Sequence, residues 1–160
     1  MIKPYYILIL AASLCITCKK SGTQSKNKGE LAWLDIQTAG TAPNTDGKMY
    51  FIDVYTDWCG WCKTMDKKTF TDPEVIKKLN ERFHAVKFNA EQRTAIEFNG
   101  KNYEWQVMGR NGVNALAIQL LEGNLSYPSF VVLDKFRNPV GVIRGFKEPA
   151  DFLNILQSIQ

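Results

Sequence analysis

Cysteine and histidine are scarce in this 160-residue chain, with four of the first and one of the second. Proline and glycine, at 6 and 11, are too few and too scattered for a collagen-like or low-complexity architecture. No apolar run reaches the roughly 18–20 residues of a standard membrane-spanning helix. Acidic residues are missing altogether from positions 1–29, which hold Lys3, Lys19, Lys20, Lys26 and Lys28. The formal net charge of +4 therefore belongs to the start of the chain, and residues 30–160 sum to −1. A phosphate-binding surface is not implied, and no nucleic-acid partner is expected. What is present is ordinary for a folded domain: 45% hydrophobic, 12% aromatic and 22% charged residues. That excludes disorder for most of the chain, and the length suits one domain with a real core.

The first residues read as an address. Met1-Ile2-Lys3 is a short positive start, and Tyr5 to Thr17 is a mostly apolar run of 13 residues. That is the length of a signal-peptide core and short for a membrane span. Cys18 follows, then a polar stretch to Gly29. The pattern resembles a bacterial lipoprotein signal, in which such a cysteine becomes the first mature residue and carries lipid. Ordinary cleavage and an uncleaved anchor are the alternatives. Cys15 and Thr17 depart from the usual residues of such a signal. The expected division is a signal peptide over 1–18, a tether over 19–29 and a domain over 30–160.

Within that domain the elements follow from periodicity and punctuation. Glu30 to Ile36 suggests a short amphipathic helix, and Thr41 to Lys48 a loop. Met49 to Thr56 reads as a buried strand. A helix is expected from Cys59 to about Lys68, and another from Thr71-Asp72-Pro73-Glu74 to about Arg82. Phe83 to Asn89 is a strand. Ile96 to Trp105 forms a hairpin around Asn99-Gly100. A helix spans Asn114 to Leu121, strands span Ser129 to Asp134 and Val140 to Phe146, and a helix spans Asp151 to Ile159. This order predicts an α/β fold, a mixed central sheet with helices on both faces. Phe83, Phe88 and Phe98 read as core, and His84 as structural.

Once the leader is removed, Cys59 and Cys62 are the only cysteines left, so no structural disulfide framework can form. A single CxxC in an exported domain points to chemistry. Trp58-Cys59-Gly60-Trp61-Cys62-Lys63 follows a strand and opens a helix. A cysteine at a helix start faces unsatisfied N–H groups and the positive end of the dipole, which favour thiolate. The second sulfur lies one turn along, so the pair can close and reopen a disulfide. Cys59 is expected to be the exposed attacker and Cys62 the shielded resolving thiol. Half a zinc site shared by a dimer and an inert pair remain as alternatives. No metal ligand set is expected within one chain. Trp58 and Trp61 suggest an apolar rim, with Trp58 equally suited to packing, and Lys63 reads as a solvated helix residue.

Val54-Tyr55-Thr56-Asp57-Trp58-Cys59-Gly60-Trp61-Cys62-Lys63 resembles the active-site stretch of the thioredoxin superfamily. It is especially similar to a secreted bacterial branch with Cys-Gly-Trp-Cys. The resemblance covers roughly residues 30–160 and implies a thioredoxin-like fold, with the 96–105 hairpin as an insert. It implies that Asp53 is the buried acid that exchanges a proton with Cys62, and that Lys87 is its neighbouring lysine. It makes Tyr127-Pro128 the family's cis-proline site and Gly145 part of the C-terminal end. Substrate would then meet Trp58, Gly60, Trp61, Tyr127 and Pro128. A strand-end carboxylate at Asp53 and a plain loop proline at Pro128 are the simpler readings. Two departures stand out: Gly-Trp replaces Gly-Pro between the cysteines, and Lys67 stands where the family has a helix-kinking proline.

The implied activity is thiol–disulfide exchange in the cell envelope, with reduction favoured over oxidation. Its partners would be exported proteins with cysteines or disulfides and an envelope electron-transfer partner, with no dissociable cofactor. The localisation implied is periplasmic, held to a membrane by the lipid anchor. A client-binding or chaperone-like module with weak redox activity is the alternative. If Cys18 is lipidated, Cys18→Ser releases the protein from the membrane fraction on cell fractionation. Unchanged membrane retention would count against lipidation.

Overall fold

The computed structural model describes residues 29–109 and 111–159. Cys15, Cys18 and the expected signal and tether lie outside them, apart from Gly29. Among the described residues no helix is long and apolar enough to cross a membrane.

Five strands make the main sheet: β1 (Leu34–Asp35), β2 (Met49–Tyr55), β3 (Phe83–Asn89), β8 (Ser129–Leu133) and β9 (Pro139–Arg144). Their spatial order is β1-β3-β2-β8-β9, with β1, β3 and β2 mutually parallel and β8 antiparallel to both of its neighbours, β2 and β9. The sheet is mixed, as expected. Among the described residues five helices flank it: α1 (Ile36–Thr41), α2 (Gly60–Lys67), α3 (Pro73–Arg82), α4 (Ala115–Leu120) and α5 (Pro149–Ser158).

Strand alternation divides the core in two. Ile52, Val54, Val86, Phe88, Val131 and Leu133 pack with α1 and α4 on one face. Phe51, Phe83, Phe130 and Val132 pack with α2, α3 and α5 on the other. There Phe51, Phe70, Phe130 and Phe152 meet in all six pairings, with centroids 5.5–6.1 Å apart. Asp53 and Lys87 share the parity of Phe51 and Phe83, so both point to the α2 face.

The start of the domain departs from the expected helix over Glu30 to Ile36. Leu34 and Asp35 pair with Val86 and Lys87 at the sheet edge. Helix α1 begins where that helix was expected to end. The Asp35 carboxylate fixes the boundary by accepting the Thr38 amide at 2.8 Å and its hydroxyl at 2.6 Å. At α3 the capping oxygen is that of Asp72, which accepts from Glu74 and Val75. Thr71 instead donates to the carbonyls of Lys67 and Lys68.

The insert is larger than one hairpin. β4 (Ile96–Phe98) and β5 (Lys101–Tyr103) pair around Asn99 and Gly100, both at positive φ. That is the backbone an Asn-Gly turn supplies. Trp105, expected to close that hairpin, opens a second one instead. Its strands are β6 (Trp105–Met108) and β7 (Asn111–Asn114).

Asn114 fastens the insert to the domain. Fully buried, it donates through Nδ2 to the carbonyls of Tyr103, Thr94 and Gln92 at 3.1–3.4 Å. Its Oδ1 caps α4 at the Leu116 amide, and its own amide reaches the Ala90 carbonyl at 2.7 Å. Asn114→Ala should destabilise by roughly 2–4 kcal/mol, combining a lost cap with buried carbonyls left unpaired. Urea denaturation measures this, and a loss below about 1 kcal/mol would show that the insert is held by its apolar residues alone.

Candidate active site

Cys59 and Cys62 form a disulfide, with Cα atoms 5.3 Å apart. Cys59 is the N-cap of α2, and its Sγ accepts the Cys62 amide at 3.1 Å. The Cys59 amide in turn donates to the Thr56 carbonyl at 3.1 Å, which fixes the turn out of β2. In the disulfide the expected difference in exposure is absent: Cys59 is 4% exposed and Cys62 3%. The two positions differ instead in the helix amides they face. Only the Cys59 sulfur sits at the cap, where the helix amides stabilise negative charge.

The rim residues fall around this turn. Trp58 and Trp61 are 65% and 61% exposed. Trp58 stands edge-on to Tyr127, and its indole N–H donates to Glu91 Oε1 at 3.0 Å. Trp61 lies against Phe146 with centroids 5.2 Å apart. The Tyr127–Pro128 peptide is cis, and the Pro128 carbonyl accepts the Gly145 amide at 2.8 Å. Burial and then the charge of Glu91 push the Tyr127 hydroxyl up to about 12. Gly60 and Lys63 are exposed on the first turn of α2. Lys67, in the place of the family's proline, ends that helix.

Asp53 is 1% exposed. It is aligned with Lys87 across β2 and β3, and Lys87 donates to its Oδ2 at 2.6 Å. Its Oδ1 is buried without a hydrogen-bond partner. Burial pushes the carboxyl up to about 6, with Lys87 pulling it down and Asp66 adding to the rise. Lys87 also bonds the half-exposed Asp66. Its ammonium lies 4.7–5.4 Å from the ring centroids of Trp33, Tyr55 and Phe70. Burial lowers the lysine's pKa, but the two carboxylates outweigh it and leave it raised.

Asp66, Trp33 and Glu91 were not singled out from the sequence. For Asp66 a signal existed, since it follows Cys62 by four and so shares its helix face. His84 pairs with Asp46 at 2.8 Å, a structural contact. Among the described residues no three His, Cys, Asp or Glu side chains gather as a metal site.

The raised Asp53 pKa has a definite sign in stability. Between about pH 4 and pH 6 the folded protein keeps a proton that the unfolded chain has lost. Stability therefore falls as pH rises through that window, by on the order of 2–3 kcal/mol, and the loss persists above it. Asp53→Asn lacks this loss. Oxidised Asp53→Asn should gain about that much on wild type between pH 4 and 7.5 in urea denaturation. A stability difference that stays constant across that range would show that the buried carboxyl titrates normally.

Comparison with known proteins bears on the fold and the family. A thioredoxin from Thermus thermophilus superposes with a TM-score of 0.59 at 21% identity, over 81% of this chain and 87% of that one. A structure described as "DsbH Oxidoreductase" gives 0.57 at 17% identity, over 88% and 92%. At those identities the likeness concerns the fold, which is thioredoxin-like. Among curated sequences, the thiol:disulfide interchange protein DsbD of Tatumella citrea is 36% identical over 70 residues. That stretch is 44% of this chain and 11% of that protein. The protein of the same name from Escherichia coli K12 is 52% identical over 33 residues, 21% of this chain and 6% of its own length. The chain thus spans a small part of these relatives. The family model described as "Thioredox_DsbH: Protein of unknown function, DUF255" matches residues 23–133, and the chain belongs to that family.

Proposed function

We propose that the protein is a thiol–disulfide oxidoreductase acting on exported proteins through Cys59 and Cys62. The observation that carries this reading is a disulfide whose first sulfur caps a helix in a thioredoxin-like fold. The relatives named thiol:disulfide interchange proteins support it.

In the reducing direction the Cys59 thiolate attacks one sulfur of a client disulfide. One client sulfur leaves as thiolate and a mixed disulfide forms. Cys62 then loses its proton, and Asp53 is the group proposed to accept it. A carboxyl titrating near 6 takes up a proton more readily than an ordinary aspartate. The Cys62 thiolate attacks Cys59 Sγ, and the second client sulfur leaves. The client gains two electrons, the protein keeps the Cys59–Cys62 disulfide, and an electron-transfer partner must reduce it again. No dissociable cofactor enters the cycle. Trp58, Gly60, Trp61, Tyr127 and Pro128 are proposed to line the path of the client chain. The segment before Glu30 is proposed to export the domain and hold it at a membrane of the envelope through Cys18.

Trapping tests the cycle. Cys62→Ser should accumulate mixed disulfides with envelope proteins that dithiothreitol releases, and Cys59→Ser should abolish insulin reduction. Absence of any trapped adduct would sink the mechanism. The reduction potential of the pair, followed by fluorescence of the two rim tryptophans, gives the direction. A value near about −270 mV fits a reductase, and one near about −120 mV a disulfide donor.

A further inference from the structure

Against Asp57 and Trp58, the two residues before Cys59, lies a cleft of about 320 Å³ that the insert walls on one side. Asp57, Trp58, Asn89 and Glu91 come from the sheet and the active-site turn, and Arg93, Trp105, Asn111 and Gly112 from the insert and its approach. The site is built. Trp58 is held at one wall by the Glu91 carboxylate. Trp105 forms another wall and lies flat across β7, because position 112 is glycine. A Cβ at Gly112 would collide with the Trp105 ring and with the Gln106 carbonyl. The Arg93 guanidinium stacks over the Trp105 ring, 4.9 Å from its centroid.

We infer that this cleft receives a cationic side chain of the client, an arginine or lysine flanking the cysteine that Cys59 attacks. Among the described residues two carboxylates line it against one guanidinium. Among the described residues Asp57 has no hydrogen bond or ion pair, and Glu91 bonds the indole through only one oxygen. Arg93 spends its face on Trp105. The exposed indole of Trp58 offers a flat surface to an alkyl stem or a guanidinium. An anionic residue would meet Asp57 and Glu91 instead. Position links the cleft to the chemistry, since Asp57 and Trp58 directly precede Cys59. A client strand crossing the disulfide passes this wall. The inference rests on the oxidoreductase reading and names its preferred substrates.

The test uses disulfide-linked peptides identical but for arginine, glutamine or glutamate beside the cysteine, with neutral hydroxyethyl disulfide as reference. The rate of thiol–disulfide exchange with reduced protein is read as the ratio of arginine to glutamate peptide. That ratio should be about tenfold at low salt and shrink as salt screens it. Asp57→Asn should bring it to about threefold or less, and Gly112→Ala should lower it by displacing Trp105. Glu81→Gln, a loss of charge on α3, should leave it unchanged. Equal rates, a preference for glutamate, or a tenfold ratio surviving in Asp57→Asn would overturn the inference while leaving the oxidoreductase reading intact. No exchange even with hydroxyethyl disulfide would instead overturn that reading, and this inference with it.

Discussion

Asp53 puts an ionisable carboxyl into the strand on which the sheet is built. β2 has a neighbour on each side, and the aromatic layer covers the face to which Asp53 points. A charge placed there alone would cost many kcal/mol in lost solvation. Parallel pairing supplies the answer by bringing Lys87 level with it. A slip of one residue would turn Lys87 to the opposite face, among Ile52, Val54, Val86 and Phe88. Hydrophobic alternation and ion pairing therefore demand the same register. Lys87 is fixed in turn by three rings and by Asp66, whose half-exposed carboxylate carries the polar chain from the core to the surface.

That arrangement leaves the carboxyl poised. Lys87 is close enough to keep Asp53 soluble in the core, yet burial still wins and the pKa stays raised. Six residues on, the cap of α2 sets the Cys59 sulfur against the helix amides at the positive end of the dipole. One short segment thus holds a carboxyl that burial keeps from ionising and a sulfur at the positive end of a helix. The proton transfer proposed for Asp53 draws on this contrast between the two environments.

Much of this was legible in the chain, and the misses have physical causes. β3 was readable to the residue because a capped helix precedes Phe83 and the short run from Phe83 to Asn89 is largely apolar, as suits a strand covered on both faces. Asp53, Lys87, Tyr127 and Pro128 came from a family resemblance, since no local pattern links residues so far apart in sequence. β1 was missed because two residues carry no period, and its pairing is a property of the sheet edge. The second hairpin was missed because Met108-Gly109-Arg110-Asn111 is a weaker turn signal than Asn99-Gly100. The cysteine exposures misled because a helix position says which sulfur meets the dipole, not how a closed disulfide shields both.

The insert shows how a small domain can add a wall without loosening its core. A two-stranded hairpin is marginal by itself in water, so neither hairpin would hold a fixed shape alone. Ile96, Phe98 and Tyr103 are buried in the α1–α4 layer, which makes the first hairpin part of the core. The second hairpin is tied at its far end by Asn114, whose bonds reach β5, the residues before β4 and the end of β3. Trp105 then rests on glycine backbone instead of on another side chain, so its position follows the strand and not a rotamer choice. A cleft wall fixed in this way presents a constant charge and shape to whatever approaches it. Thiol exchange is already sensitive to access and to the acidity of the leaving thiol, and a rigid charged wall next to the residues before Cys59 adds a further constraint on what can approach.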